Sequence, residues 1–389
     1  MNTLRLTRLT LTQFRNYESL SWEPRARIAV ISGANGSGKT NLLEAVSLVV
    51  PGRGLRGARV GELARRAPDA PGTWGVAARF TSGDETVDIG TGSPPDGPAD
   101  RRVFRLNGAP PRNQAEIAAH AAAVWLTPQM DRLFLEGASA RRRFLDRLVF
   151  ALEPAHAREV SAFDSAMAGR NRLLAEGRAD PAWLAGLEDA MARHAVAATA
   201  ARMTLAGRLN AALLAGAAGR FPAARMSVLG PVAERLAAHP AIAVEDWLRE
   251  ALAAARAEDA RAGAAGLGAH RADMALEEAA TGLAAALAST GQQKALLIGV
   301  ILGHAAVIAD ARGFAPLLLL DEPAVHLDED RRAALFDALR TLPGQTLMTG
   351  TDADIFHPLL GIAEGLRTGG GNLRPDPAFP PPAYGIGAP

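Results

Sequence analysis

Ten residues, Ser32-Gly33-Ala34-Asn35-Gly36-Ser37-Gly38-Lys39-Thr40-Asn41, carry the spacing G-x-x-x-x-G-K-[ST]. An apolar run, Ile28 to Ile31, precedes them and a helix-like segment, Leu42-Leu43-Glu44-Ala45-Val46, follows. Glycines let the backbone turn tightly enough for successive N–H groups and a helix N-terminus to converge on one anion, the β-phosphate of a nucleotide. On this reading Gly33, Ala34, Asn35, Gly36, Ser37, Gly38, Lys39, Thr40 and Asn41 cradle the phosphates of ATP. The Lys39 ammonium reaches the β/γ oxygens and the Thr40 hydroxyl reaches Mg2+. Lysine occurs only at Lys39 and Lys294, with arginine at every other basic position. A compact ammonium on flexible methylenes fits a phosphate loop where a planar guanidinium does not.

A second set of chemical groups follows an apolar run, Leu317 to Leu320, that ends in Asp321-Glu322. Parallel strands bring their C-terminal ends together, so Asp321 is expected beside Thr40, completing the Mg2+ shell. Glu322, one residue on, is expected to point to the other side and to deprotonate the attacking water, which makes Glu322 and Lys39 the catalytic candidates. Asp328, in Val325-His326-Leu327-Asp328, stands where a loop could carry information between two nucleotide sites.

Ser289-Thr290-Gly291-Gln292 opens an apolar helix, and a serine hydroxyl with a glycine N–H there makes a second anion-binding helix end. One chain already has its own phosphate loop. The economical arrangement therefore has Ser289, Gly291 and Gln292 engage the γ-phosphate held by a second copy, sandwiching two ATP molecules between two heads. Taken alone, the same four residues also read as a helix N-cap.

These groups must be positioned by elements the rest of the chain supplies. Its 389 residues are 48% hydrophobic and 21% charged, which suits several folded lobes with real cores. Formal net charge is +1, so any nucleic-acid surface has to be a local patch. Cysteine is absent, which excludes disulfides, a thiolate nucleophile and Cys-based metal sites. The N-terminus lacks the apolar core of a secretory signal. The most apolar run, Ala295 to Ile308, is interrupted by Gly299, Gly303 and His304. A soluble cytoplasmic protein with no membrane partner is expected.

Leu4, Leu6, Leu9 and Leu11 nearly alternate with polar residues and predict a strand leading to Phe14-Arg15-Asn16-Tyr17. Thr73 to Phe80, Glu85 to Ile89 and Arg101 to Leu106 predict antiparallel strands separated by turn-rich segments, the longest being Gly90 to Asp100. Ala122 to Leu126 is a further strand. From Gly137 to Gly266 alanine, leucine and arginine dominate at helical spacing, as in Trp183, Leu187, Met191 and Ala195, which predicts a helical lobe. Asp330 to Leu342 predicts a helix and Gln345 to Thr349 a last strand, while the Gly/Pro-rich Gly369 to Pro389 reads as disordered. The expected division is residues 1–136 and 267–367 as two halves of an α/β core, 137–266 as a helical insert, and 368–389 as a tail.

In this order the motifs resemble those of the ABC-type ATPase heads of the SMC superfamily and, more narrowly, of the RecF family of bacterial recombination mediators. The segments that carry the resemblance run from about residue 10 to 355: Phe14-Arg15-Asn16-Tyr17, Asn35 to Ala45, Thr127-Pro128, Glu136-Gly137 with Arg141 to Arg147, Arg170-Asn171-x-Leu173-Leu174, His270-Arg271-x-Asp273, and Ser289-x-Gly291-Gln292-Gln293. The resemblance implies an α/β fold: a P-loop ATPase head of mixed sheet with an antiparallel β subdomain, plus an inserted, mainly α-helical lobe. It implies a slow, DNA-stimulated ATPase of DNA replication, repair and the SOS response. ATP would close a homodimer on double-stranded DNA near single-strand gaps, with RecR and RecO as partners in loading recombinase.

By the same resemblance, Gln129 falls near the Mg2+-contacting glutamine of ABC heads. The switch histidine of transporter heads is absent, and Met348-Thr349-Gly350-Thr351-Asp352 stands there instead, leaving Thr351 or Asp352 to sense the γ-phosphate. Gly52-Arg53-Gly54-Leu55-Arg56 resembles a family Gly-Arg-Ser-Phe-Arg segment with two residues changed. Arg65-Arg66, Arg101-Arg102, Arg141-Arg142-Arg143 and Arg331-Arg332 are candidates for DNA phosphates. Two other classes use the same motifs, the ATP-binding subunit of a membrane transporter and an SMC-type DNA tether. The absent switch histidine and the helical insert disfavour the first, and the shortness of the insert disfavours the second.

Overall fold

The computed structural model describes residues 2–94, 97, 100–177 and 180–382. The chain divides into two compact units, one of Met1–Asp131, Gly216–Pro222 and Ser289–Pro389, the other of Arg132–Ala215 and Ala223–Ala288.

In the first unit a six-stranded sheet runs in the order Asn372–Pro375, Ala363–Gly369, Ile28–Ser32, Thr346–Gly350, Leu317–Leu320, Ala123–Leu126. Every neighbouring pair is parallel except the first. The four strands from Ile28–Ser32 to Ala123–Leu126 are buried at each position. That is why they read as unbroken apolar runs. Register aligns Gly350 with Ser32 and Leu320 with Met348, so the C-terminal ends of three strands emerge at one edge. The helices Lys39–Leu48 and Thr290–Arg312 belong to this unit. Thr290–Arg312 is apolar and long enough to cross a bilayer, but 83% of its apolar window is buried inside the protein, as befits a core helix.

A five-stranded antiparallel sheet completes this unit, in the order Tyr17–Trp22, Arg5–Phe14, Gly75–Ser82, Glu85–Gly92, Val103–Leu106. Burial nearly alternates along Gly75–Ser82, as one packed and one wet face require. The expected α/β head with an antiparallel subdomain is therefore the fold observed.

The second unit packs the helices Ala138–Leu152, His156–Glu176, Pro181–Leu214, Pro231–Ala238, Ala241–Ala254 and Arg256–Ala262 with an antiparallel pair, Ala224–Leu229 and Asp273–Glu278. Phe163, Met191, Ala195, Leu248 and Leu252 lie at the centre of its core. On the long helix the buried stripe is Leu184, Glu188, Met191 and Ala195, while Trp183 is 60% exposed. Of the expected stripe Met191 and Ala195 are buried and Leu187 packs against the core, while Leu184 takes the inward place expected of Trp183.

Two boundaries differ from expectation. His270, Arg271 and Asp273 fall in the second unit and not in the resumed head, because Asp273–Glu278 pairs with Ala224–Leu229; the head resumes at Ser289. Conversely, Gly216–Pro222 returns to the head, where Gly299 on the core helix leaves room for the Pro222 carbonyl.

The tail also differs. Ala363–Gly369 and Asn372–Pro375 form a hairpin whose turn residues Gly370 and Gly371 have φ of 56° and 76°. The glycines that suggested disorder make this turn. Beyond it Phe379 is 1% exposed and its backbone bonds Gly365 at 2.8 Å. Residues 383–389 of the tail, and 95, 96, 98 and 99 of the turn-rich segment, lie outside the described residues.

Candidate functional site

The phosphate loop joins Ile28–Ser32 to Lys39–Leu48 with φ of 151°, 79° and 107° at Gly33, Gly36 and Gly38. A Cβ at Gly33 would lie 2.6 Å from Thr368 Oγ1 and 2.8 Å from Ser37 Oγ, and one at Gly38 would meet Asn16 and the Tyr17 hydroxyl. Both positions therefore require glycine. Gly38 caps the helix without a side-chain bond, which leaves the first N–H groups available to an anion.

The turn Arg15-Asn16-Tyr17 grips this loop. Asn16 Nδ2 donates to the Ser37 carbonyl at 3.2 Å and Tyr17 OH to the Gly38 carbonyl at 3.1 Å. Burial pushes the Tyr17 phenol well up, which keeps it a neutral donor. Asn41 Nδ2 donates to Asn16 Oδ1 at 2.7 Å, and Arg56 donates to Asn41 Oδ1 at 2.7 Å. From the C-terminal hairpin, Thr368 Oγ1 lies 2.6 Å from Ser37 Oγ. Lys39 Nζ donates to the Gly33 and Ala34 carbonyls at 2.8 and 3.1 Å.

The two acids sit where three strand ends meet. Thr40 Oγ1 donates to Asp321 Oδ1 at 2.9 Å. Thr349 Oγ1 donates to the same oxygen at 2.7 Å and accepts the Glu322 N–H at 2.9 Å. Glu322 is not on the opposite side as expected, because alternation holds only within the strand and that strand ends at Leu320. A left-handed φ of 49° turns Glu322 back, setting Oε1 4.0 Å from Lys39 Nζ with 27% of the side chain exposed. Among the described residues no three His, Cys, Asp or Glu side chains converge on a metal. One hydroxyl and one carboxylate make a sparse, hard-oxygen set, which suits Mg2+ bound together with phosphates and water.

The γ-phosphate sensors expected at Thr351 and Asp352 lie differently. Both are exposed, and Asp352 Oδ1 accepts the Asp354 N–H at 2.9 Å as a local turn. Thr349, two residues earlier, is the residue joined to the acids. Its signal was a polar residue buried inside an apolar strand. Gln129 is exposed on the 3-10 turn Pro128–Arg132, whereas Asp131 of that turn meets Lys294 Nζ at 3.4 Å. Lys294 Nζ also donates to the Glu322 carbonyl at 3.3 Å. Burial lowers the Lys294 pKa, and Asp131 and Glu322 work against that shift.

Ser289 and Gln292 form a capping box at the start of Thr290–Arg312. Ser289 Oγ accepts the Gln292 N–H at 3.3 Å and Gln292 Oε1 accepts the Ser289 N–H at 2.9 Å. Both side chains are exposed. A Cβ at Gly291 would stand 3.0 Å from the Arg331 guanidinium. Asp328 caps the helix Glu329–Thr341, accepting the Arg331 N–H at 2.8 Å and pairing with the Arg331 side chain at 3.0 Å.

The arginine clusters separate by partner. Arg102 is consumed internally: it donates to Thr91 Oγ1 at 2.8 Å, to the Gly52 carbonyl at 2.7 Å and to the Leu48 carbonyl, and stacks 4.3 Å over Phe104. Its burial pushes the pKa down to about 10. Arg65 pairs with Glu18 and Asp69. Arg141 forms a two-pronged bond to Asp273 at 2.8 and 2.7 Å, and Arg142 donates to the Ala272 carbonyl at 2.9 Å. Arg66, Arg101 and Arg143 are exposed.

The sequence model of the RecF/RecN/SMC N terminal domain family matches residues 5–359. The chain is similar to the DNA replication and repair protein RecF of Agrobacterium fabrum, 48% identical over 360 residues that cover 92% of this chain and 95% of the relative. Its likeness to the protein of the same name from Mesorhizobium japonicum is 45% over 373 residues, covering 95% and 97%. Among solved structures, the recombination mediator protein RecF of the RecFOR pathway, as RecF-ATPrS, superposes with a TM-score of 0.82 at 21% identity over 96% of this chain and 98% of that one. The RecF-ATP form gives 0.79 at 20% over 97% and 100%. An Smc head bound to the C-winged helix domain of ScpA gives 0.52 at 16% over 95% and 96%. At such identities these likenesses establish the fold.

Proposed function

The chain belongs to the RecF/RecN/SMC family, and within it to the RecF proteins, and on that premise we propose that it is a DNA replication and repair ATPase that uses ATP as a switch. ATP closes a homodimer on double-stranded DNA near single-strand gaps, and slow, DNA-stimulated hydrolysis releases it. RecR and RecO are its partners in loading recombinase, and the cytoplasm is its location. The observation that supports this best is the convergence of Thr40, Asp321 and Glu322 on the phosphate loop of one chain, with Ser289 and Gln292 exposed at a separate helix end.

The loop N–H groups and Lys39 bind and orient the phosphates. Thr40 and Asp321 would hold Mg2+, which would supply neutralisation of the phosphate charge. Glu322, close to Lys39 and partly open to solvent, takes the proton of the attacking water. Thr349 fixes both acids, and Ser289, Gly291 and Gln292 offer a helix end to the γ-phosphate bound by a second copy. Exposed Arg66, Arg101 and Arg143 contact DNA phosphates. The transporter and tether alternatives are not favoured, since the relatives matched over nearly the full chain are named replication and repair proteins.

Titrating plain and gapped duplex with a Glu322→Gln chain, which holds ATP unhydrolysed during the measurement, tests this reading. Binding that needs ATP and weakens with salt is expected, and each Arg→Ala change should shallow the salt slope by roughly one. Binding indifferent to nucleotide, or to salt, would overturn it.

A further inference from the structure

Both lysines of the chain end at Glu322: the Lys39 ammonium is 4.0 Å from its carboxylate, and the Lys294 ammonium 3.3 Å from its backbone carbonyl. Lys294 is 2% exposed and stands in the first turns of the helix, directly before the apolar stretch Ala295 to Leu302. An ammonium taken out of water has to be paired and hydrogen-bonded, and an apolar residue there would pack with less cost. Stability alone therefore gives no reason for it. Its second partner, Asp131 Oδ2 at 3.4 Å, keeps the charge paired from the side of the turn Pro128–Arg132.

The backbone of Glu322 is held at both ends. Its N–H is fixed by Thr349 on the strand Thr346–Gly350, and its C=O by Lys294 on the helix that Ser289 caps. Between these two anchors Glu322 adopts a left-handed φ of 49°, a conformation that a non-glycine residue keeps only when its surroundings enforce it. That conformation aims the carboxylate at Lys39.

We propose that Lys294 is a positioning residue that ties the aim of Glu322 to the placement of the helix Thr290–Arg312, so that engagement of the Ser289 end by a second copy of this chain sets whether the carboxylate faces the attacking water. Rigid-body movement of the helix carries Lys294 with it, and a displacement of about 1 Å at a catalytic group is enough to change rates about 100-fold. The inference rests on the proposed roles of Glu322 and Ser289.

The test is steady-state ATP hydrolysis by the full chain carrying Lys294→Met, a change that keeps length and suits the apolar surroundings. Expected are a melting temperature no lower than that of the unaltered chain, KM and ATP-dependent dimerisation within about two-fold, and kcat reduced about 10- to 100-fold. Lys294→Arg restores part of kcat, since it keeps a donor for the Glu322 carbonyl. Should the Met chain not fold, the same split is read from Asp131→Asn, which weakens the hold on Lys294 and lowers kcat with KM kept. Unchanged kcat, KM rising in step with the loss of kcat, or an Arg chain no better than the Met chain overturns the inference. An unaltered chain that hydrolyses no ATP would instead overturn the functional reading beneath it.

Discussion

The hydroxyl of Thr349 donates to Asp321 Oδ1 at 2.7 Å, and Thr349 Oγ1 itself accepts the backbone N–H of Glu322 at 2.9 Å. One fully buried side chain on a neighbouring strand thereby fixes both acids. Thr349→Val keeps the shape and removes both bonds. It is expected to cost about 1–3 kcal/mol in urea unfolding, because a buried N–H and a carboxylate lose a partner. Hydrolysis should fall further than nucleotide affinity, and Thr349→Ser should recover most of both. A Val chain as stable as the unaltered one would show that the bonds carry no weight.

The pairing of Arg141 with Asp273 gives the second unit an acid limit. The Arg141 hydrogen bond holds the Asp273 carboxyl below its ordinary 3.8, against the opposing effect of burial. A lowered folded-state pKa contributes stability that is present above the unfolded value and is lost as pH falls through the folded one. Arg141→Gln should therefore destabilise the protein at pH 6 and differ less and less from the unaltered chain below about pH 4. Unfolding free energies compared at pH 6 and pH 3 check this. A difference that does not change with pH would contradict the assignment.

Phe379 tests the folded state of the C-terminal segment. Its side chain packs on Gly365, where a Cβ would meet the ring, and its backbone completes two bonds with Gly365 and Asp376. Phe379→Ala should cost about 3–5 kcal/mol, as for a buried aromatic removed from a core. Because Thr368 of the same hairpin touches Ser37 in the phosphate loop, ATP affinity should fall as well. A disordered segment predicts no change in thermal unfolding.

Legibility in the sequence followed the range of the forces involved. The phosphate loop, the Asp321-Glu322 end and the Ser289 cap are local patterns, and their residues lie where spacing places them. Groups recruited across the fold were not legible: Thr349 and Lys294 meet the acids, and Asp131 meets Lys294, through strand register and helix packing. The orientation of Glu322 depended on one left-handed dihedral that no alternation rule anticipates. Asp273 follows the helical insert in sequence, yet its strand pairs with Ala224–Leu229 and so belongs to the second unit. The Gly/Pro-rich end read as disorder because composition alone does not distinguish a hairpin turn from a loose tail.

The central claim is that Lys39 of one chain and Ser289 of another complete one nucleotide site. Sedimentation of a Lys39→Ala chain, a Ser289→Arg chain and their equimolar mixture, each with and without ATP, tests it most directly. The account predicts that each variant alone stays monomeric with ATP, while the mixture gains an ATP-dependent dimer, because one intact site forms from the Lys39 of one chain and the Ser289 of the other. Either variant alone dimerising with ATP as fully as the unaltered chain would contradict it.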